Sequence, residues 1–190
     1  MSPVEFDRSE IERLLGLLDD RLRARQVGAS VYVVGGAAMA VVLDARRTVD
    51  VDAVVSDQVV LDEARSVAAA EHIPPTWLNE NARPWVPPLP AVATKPRKTP
   101  GLTVHWAPPE HLLAMKLVAA RPQDAPDIAA LAGVLHLGEE AAAYADLLER
   151  VYHGEDALQQ MLNVPYDQVR PEAIRRGDVA VRLVRATRRL

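Results

Sequence analysis

Two aspartates one residue apart, Asp50 and Asp52, stand in the run Thr48-Val49-Asp50-Val51-Asp52-Ala53-Val54-Val55, shortly after the pair Gly35-Gly36. A strand alternates its faces with period two, so Asp50 and Asp52 are expected on one face and Val49, Val51 and Ala53 on the other. Two like charges fixed side by side repel, and folding alone gives no reason to keep them. A divalent cation does, because Mg²⁺ takes hard oxygen ligands and leaves positions for water and phosphate oxygens. Upstream, Val31-Tyr32-Val33-Val34 reads as a buried strand that the glycines end, and residues 37–43 read as an apolar helix. Such a turn lets backbone N–H groups approach a phosphate, and the helix N-terminus adds partial positive charge. Either motif alone is commonplace, since Gly-Gly marks many tight turns and Asp-x-Asp many solvated strand edges. Their succession is what constrains the fold: strand, phosphate turn, helix, returning acidic strand.

That succession resembles the signature of the DNA polymerase β-type nucleotidyltransferase superfamily, and the chain is most similar within it to the AbiEii/MenT-type nucleotidyltransferase toxins. Three further segments carry the narrower resemblance: Thr76-Trp77-Leu78-Asn79-Glu80, Pro109-Glu110-His111-Leu112-Leu113-Ala114-Met115-Lys116, and Ala120-Arg121-Pro122-Gln123-Asp124-Ala125-Pro126-Asp127-Ile128. It covers residues 28–135. The resemblance implies that Asp50 and Asp52 hold Mg²⁺, with Mn²⁺ as a substitute, and that Gly35 and Gly36 cradle terminal phosphates. It makes Asp50, Asp52, Lys116 and Asp127 the catalytic set, and Arg47, Thr48, Arg121 and Asp124 nucleotide-binding residues beside the two glycines. It implies an NTP donor, the 3′ end of tRNA or another RNA as acceptor, and a toxin opposed by a cognate antitoxin (a protein, an RNA or a kinase-type regulator).

Length and composition agree with a compact enzyme. The 190 residues suffice for a real hydrophobic core. The chain has no cysteine, which removes disulfide and thiol chemistry and fits a reducing cytoplasm. Residues 1–5 show no basic n-region and no apolar h-region, so no signal peptide is expected, and no apolar run is long enough to span a membrane. The expected location is cytoplasmic.

Net charge is −4, unevenly spread. Seven arginines (170, 175, 176, 182, 185, 188, 189) face only Glu172 and Asp178 in the last segment, and Lys95, Arg97 and Lys98 sit in a proline-rich stretch. Such asymmetry in an acidic protein suits an RNA footprint, or else a solvated helix face with a basic C-terminus.

Periodicity gives the organisation. Residues 5–26 read as a helix with the stripe Ile11, Leu14, Leu15, Leu18 and Leu22, capped by Asp7 with Glu10 or by Ser2 with Glu5. A helix over 58–71 follows the aspartate strand. Residues 74–101 read as irregular with one short strand at 91–94, then 102–106 as a strand. Helices are expected over 108–120, 126–135, 138–151, 155–162 and 171–188. The predicted fold class is α+β, a small mixed β-sheet flanked by helices (1–107), followed by a helical part (108–190) packed with it as one compact unit.

Several residues admit a structural and a chemical reading. Lys116 lies at the edge of the packed face of its helix, where a lysine either snorkels outward or, as the resemblance implies, reaches a triphosphate. Arg121, Arg46 and Arg47 are the other cations near the site, and which two serve the nucleotide is open. Asp124 reads as an N-cap with Pro126 in the first helical turn. The resemblance places one carboxylate of Asp124 and Asp127 in the site, with Asp127 the preferred choice. The superfamily's third carboxylate has no counterpart on strand 102–106, whose only titratable residue is His105, a poor Mg²⁺ ligand and a candidate base. The other histidines lack zinc spacing, and core packing is the expected use of at least two of Trp77, Trp85 and Trp106.

The expected activity is transfer of a nucleoside monophosphate from an NTP to an RNA hydroxyl with release of pyrophosphate. The alternatives are a nucleotidyltransferase modifying a small molecule or a protein, and an inert nucleotide-binding module.

Overall fold

Asp7 starts the first helix, as its spacing from Glu10 predicts. Its carboxylate accepts from the Glu10 N–H at 3.0 Å while the Glu10 side chain accepts from the Asp7 N–H at 3.1 Å, a reciprocal capping box. The computed structural model describes residues 4–43, 47–89 and 91–187, apart from the side chains of residues 91 and 92. Ser2, Arg46, Arg188 and Arg189 therefore lie outside the described residues. Helix α1 (Arg8–Ala24) buries the expected stripe of Ile11, Leu14, Leu15, Leu18 and Leu22. The chain forms two compact units, Met1–Pro84 with Leu89–Ala107, and Trp85–Pro88 with Pro108–Leu190.

In the first unit β1 (Gly28–Val33) leads into α2 (Gly35–Leu43), β2 (Val51–Val55), α3 (Val59–Glu71), β3 (Leu78–Asn79), the short helix α4 (Ala91–Thr94) and β4 (Gly101–Trp106). The sheet order is β3-β2-β1-β4: β2 runs antiparallel to β1, β4 parallel to β1, and β3 parallel to β2. This is the mixed sheet flanked by helices that the alternating motifs predict. Two local expectations fail. Residues 91–94 form a helical turn instead of a strand, and the extra strand is Leu78–Asn79, whose pairing with Val51 and Asp52 overrides the weak local signal. Trp77 is fully buried with its indole N–H donating to the Ala64 carbonyl, but Trp106 is half-buried and Trp85 exposed.

The second unit is helical: α5 (Pro109–Ala119), α6 (Ala125–Val134), α7 (Ala141–Val151), α8 (Glu155–Leu162) and α9 (Val169–Thr187). Helix α9 packs against α5, α6, α7 and α8. Gly177 lets it lie directly against the Ala141 carbonyl at the start of α7, where a Cβ would collide. Arg176 reaches from α9 to the carbonyls of Leu117 (3.1 Å) and Val118 (2.9 Å), placing a cation at the C-terminal end of α5. No helix among the described residues is long and apolar enough to cross a membrane.

One buried acid ties α3 to α1. Glu63 is 5% exposed and accepts from Arg21 at 2.6 Å and Arg25 at 2.5 Å. Burial pushes its carboxyl up, but the hydrogen bonds from Arg25 and Arg21 outweigh that and hold it below its ordinary 4.5. A depressed folded value stabilises above the unfolded value and is lost as pH falls through the folded one. Glu63→Gln should therefore cost about 1–2 kcal/mol at neutral pH, and the gap from wild type should narrow in acid as pH falls through that depressed value. Urea denaturation at neutral pH and in acid measures this, and an equal gap at both would contradict it.

Candidate functional site

The turn after β1 is built by close approach. Val34 N–H donates to the Asp52 carbonyl at 2.9 Å, and Gly35 then takes φ +63°, a conformation that glycine adopts without strain. A Cβ on Gly35 would lie 2.9 Å from Asp52 Oδ2, and one on Gly36 would lie 2.6 Å from Thr48 Oγ1. Both glycines are thus fixed by the side chains that lie on them. Thr48 Oγ1 donates to the Asp50 carbonyl at 3.0 Å, and Thr48 is clamped to Phe6 by paired backbone hydrogen bonds of 2.6 and 2.9 Å. Asn79 Nδ2 donates to Asp50 Oδ2 at 3.1 Å, and Asn79 stands beside Asp52 in the β2–β3 register.

Gly35, Gly36, Thr48, Asp50 and Asp52 therefore lie together in the first unit. The route differs from simple strand alternation, because β2 begins at Val51 and Asp50 sits in the preceding bend. Val49, expected on the packed face, is 49% exposed. The Asn79 amide orients the Asp50 carboxylate instead of the ladder. Asn79 and Phe6 are the residues that strand periodicity misses, since their contacts are long-range.

The donor set suits a hard cation. Two carboxylates, one held by an amide donor, offer the oxygen ligands that Mg²⁺ prefers, and such an ion would draw its other oxygens from water and phosphate. Among the described residues no larger group of His, Cys, Asp or Glu is arranged to hold a metal.

In the second unit Lys116, Asp124 and Asp127 form a closed triad. Lys116 Nζ lies 2.8 Å from Asp124 Oδ1 and 2.7 Å from Asp127 Oδ2, with side chains 13%, 13% and 8% exposed. Lys116 therefore does not snorkel outward. Asp124 occupies the N-cap position of α6, yet its side chain makes no cap hydrogen bond because Lys116 holds it. The capping reading of that carboxylate is corrected accordingly. With one cation and two anions, the triad is net negative if all three are charged, so the Lys116 charge is already met from within the chain.

The remaining candidates are more exposed. Arg47 lies 3.5 Å from Asp7 Oδ2, and Arg121 is exposed before the short turn Pro122–Asp124. His105 stands opposite Tyr32 in the β1–β4 ladder, and its Nε2 is buried without a hydrogen-bond partner. Burial pushes the Tyr32 hydroxyl up to about 12, so it stays protonated at neutral pH. In the last helix Arg170 pairs with Asp146 (2.7 Å) and Glu149 (2.8 Å), Arg175 and Arg176 with Glu172, and Arg185 with Glu139 (2.7 Å). No family model, no curated protein and no solved structure matches this chain.

Two outcomes follow from these contacts. Gly-to-Ala in a first helical turn ordinarily stabilises, but Gly36→Ala should cost about 1–2 kcal/mol through collision with Thr48. Adding Thr48→Ala should recover most of it, so a double-mutant cycle by chemical denaturation that shows no coupling would refute the contact. Lys116→Met should destabilise the protein by about 3 kcal/mol by leaving two poorly exposed carboxylates uncompensated, and Asp124→Asn with Asp127→Asn should restore stability. Unchanged unfolding of the single variant would place Lys116 at the surface.

Proposed function

We propose that the chain is a metal-dependent nucleotidyltransferase that moves a nucleoside monophosphate from an NTP to an RNA hydroxyl, with the 3′ end of tRNA as acceptor, acting as the toxin of a toxin–antitoxin pair. The observation that carries the enzymatic part is the cluster in the first unit: a left-handed Gly35 with Asp52 on its backbone, Thr48 on Gly36, and Asp50 held by Asn79. The half-buried glycine backbone at the α2 start suits phosphates, and Asp50 and Asp52 suit Mg²⁺. The acceptor and the toxin role rest on the resemblance of the motifs alone.

In this reading Gly35 and Gly36 hold terminal phosphates, Thr48 fixes the turn, and Asn79 keeps the Asp50 carboxylate aimed. A bound Mg²⁺ would neutralise charge on the triphosphate as it develops in the in-line transition state. The acceptor hydroxyl oxygen bonds to the α-phosphorus as the bond to pyrophosphate breaks, and the hydroxyl proton passes to solvent water. Asp127, oriented by Lys116, is the catalytic carboxylate assigned from the second unit, and Arg47 and Arg121 are the nucleotide-binding cations.

A small-molecule acceptor is the second reading, and one observation favours it: the chain's own acids take up Arg170, Arg175, Arg176 and Arg185, which removes much of the polyanion path expected at the C-terminal helix. Incubation with each labelled NTP, Mg²⁺ and total RNA separates the readings. Label should enter RNA of tRNA size with one NTP, and Asp52→Asn should reduce it by at least about 10²-fold while leaving thermal stability without metal equal or slightly raised. Unlabelled RNA with every NTP, together with normal growth on expression, overturns the RNA-directed toxin.

A further inference from the structure

Residues 95–98, which precede β4, bring Lys95, Arg97 and Lys98 over the end of the sheet. With Ser30, Thr103 and His105 they line an open pocket of about 440 Å³. The ladder pairs Ser30 with Thr103 and Tyr32 with His105, and pairs Tyr32 with Val54 across β2. Paired residues share a face, as do Val54 and Asp52 two apart on β2, so the pocket lies on the sheet face that carries Asp52. The opposite face, with Leu102, Val104 and Trp106, meets α1. Two inter-strand spacings and two residues of rise put the His105 and Asp52 backbones about 12 Å apart.

The charges here are of a different kind from those in α9. The chain has only three lysines, Lys95, Lys98 and Lys116, and the third is committed to the buried triad. Lys95, Arg97 and Lys98 have no carboxylate within ion-pair distance among the described residues. Arg97 is held by neutral groups, donating to Thr99 Oγ1 (2.7 and 3.0 Å) and the Leu102 carbonyl (3.3 Å), and its charge is met at longer range by Asp19, whose carboxyl it helps to hold low. The Lys95 carbonyl accepts from Ser30 Oγ at 2.9 Å, anchoring the segment to β1. His105 Nε2, buried and unpartnered, is an unspent hydrogen-bonding group at the same place. Two lysines that no described carboxylate meets, with Arg97 between them, suit successive phosphodiesters.

We propose that this pocket holds the sugar–phosphate backbone of an RNA strand whose end is presented to Asp50 and Asp52; this rests on the RNA-directed transfer proposed above. The test is amine footprinting of the full chain in chelator, with a short single-stranded RNA ending in a 3′-deoxynucleotide. The RNA should protect Lys95 and Lys98 severalfold from acetylation while ATP does not. Lys95→Gln with Lys98→Gln should weaken RNA binding about tenfold and reduce the slope of log K against log salt by about 1.4, that is, about 0.7 for each of two phosphates. Arg8→Gln with Arg65→Gln, which removes the same charge from exposed helical sites, should change neither. Unprotected lysines, protection by ATP alone, or an unchanged salt slope in the lysine variant each overturn the proposal. Protection without any nucleotidyl transfer upholds the pocket and overturns the activity. Transfer to RNA with unprotected lysines does the reverse.

Discussion

A Cβ at Gly35 or Gly36 has nowhere to go, because Asp52 Oδ2 and Thr48 Oγ1 already occupy its place. The first unit depends on that approach. It joins the exit of β1, the start of α2 and the beginning of β2 at one point, where the Val34 N–H also meets the Asp52 carbonyl. Thr48 is pinned from the other side by Phe6, so the segment leading to the carboxylates is bounded by backbone hydrogen bonds at Thr48 and by the ladder from Val51. The backbone that carries the carboxylates is therefore placed by main-chain pairing and the Asp50 carboxylate is aimed by Asn79, which leaves little reorganisation for when a ligand arrives.

The two sets of candidate carboxylates are satisfied in opposite ways. Asp50 is met by a neutral amide from Asn79, which aims the carboxylate without cancelling its charge. Asp124 and Asp127 are met by an ammonium at 2.7–2.8 Å, which spends the charge locally. A carboxylate held by an amide still attracts a cation, whereas one held by a lysine is chiefly a positioned oxygen. This separates the roles proposed for the two sets: cation binding for Asp50 and Asp52, and placement of Asp127 by Lys116.

Periodicity carried much of the fold in readable form. The five-residue stripe of α1, the Asp7–Glu10 cap, and the helices α5 to α9 all follow from local pattern, because each helix buries residues at helical spacing. What was illegible is long-range. Leu78–Asn79 is a strand only because β2 lies beside it, and a two-residue strand leaves no periodic trace. The short helix at Ala91–Thr94 was misread because valine and threonine favour strands where nothing else decides. In the site, the glycine–aspartate succession was legible from spacing. The Asn79 amide, the Phe6 bridge and the commitment of Asp124 to Lys116 were not, since each joins residues that no helical or strand period relates.

Charge shows the same limit. Counting residues gave seven arginines against two acids in the last segment, which suggested a surface for polyanions. The fold brings Asp146, Glu149 and Glu139 to those arginines, so acidic and basic segments that look separate in sequence are partners in space. Lys95 and Lys98 give the opposite case, a smaller excess of charge with no carboxylate at ion-pair distance among the described residues. Attraction for a polyanion follows the unbalanced charge at a surface and not the arginine count, and paired charges at a surface contribute little to either stability or steering. On that physical ground the RNA path proposed for this chain lies at the edge of the sheet, on the face that carries Asp52, and not at the C-terminal helix.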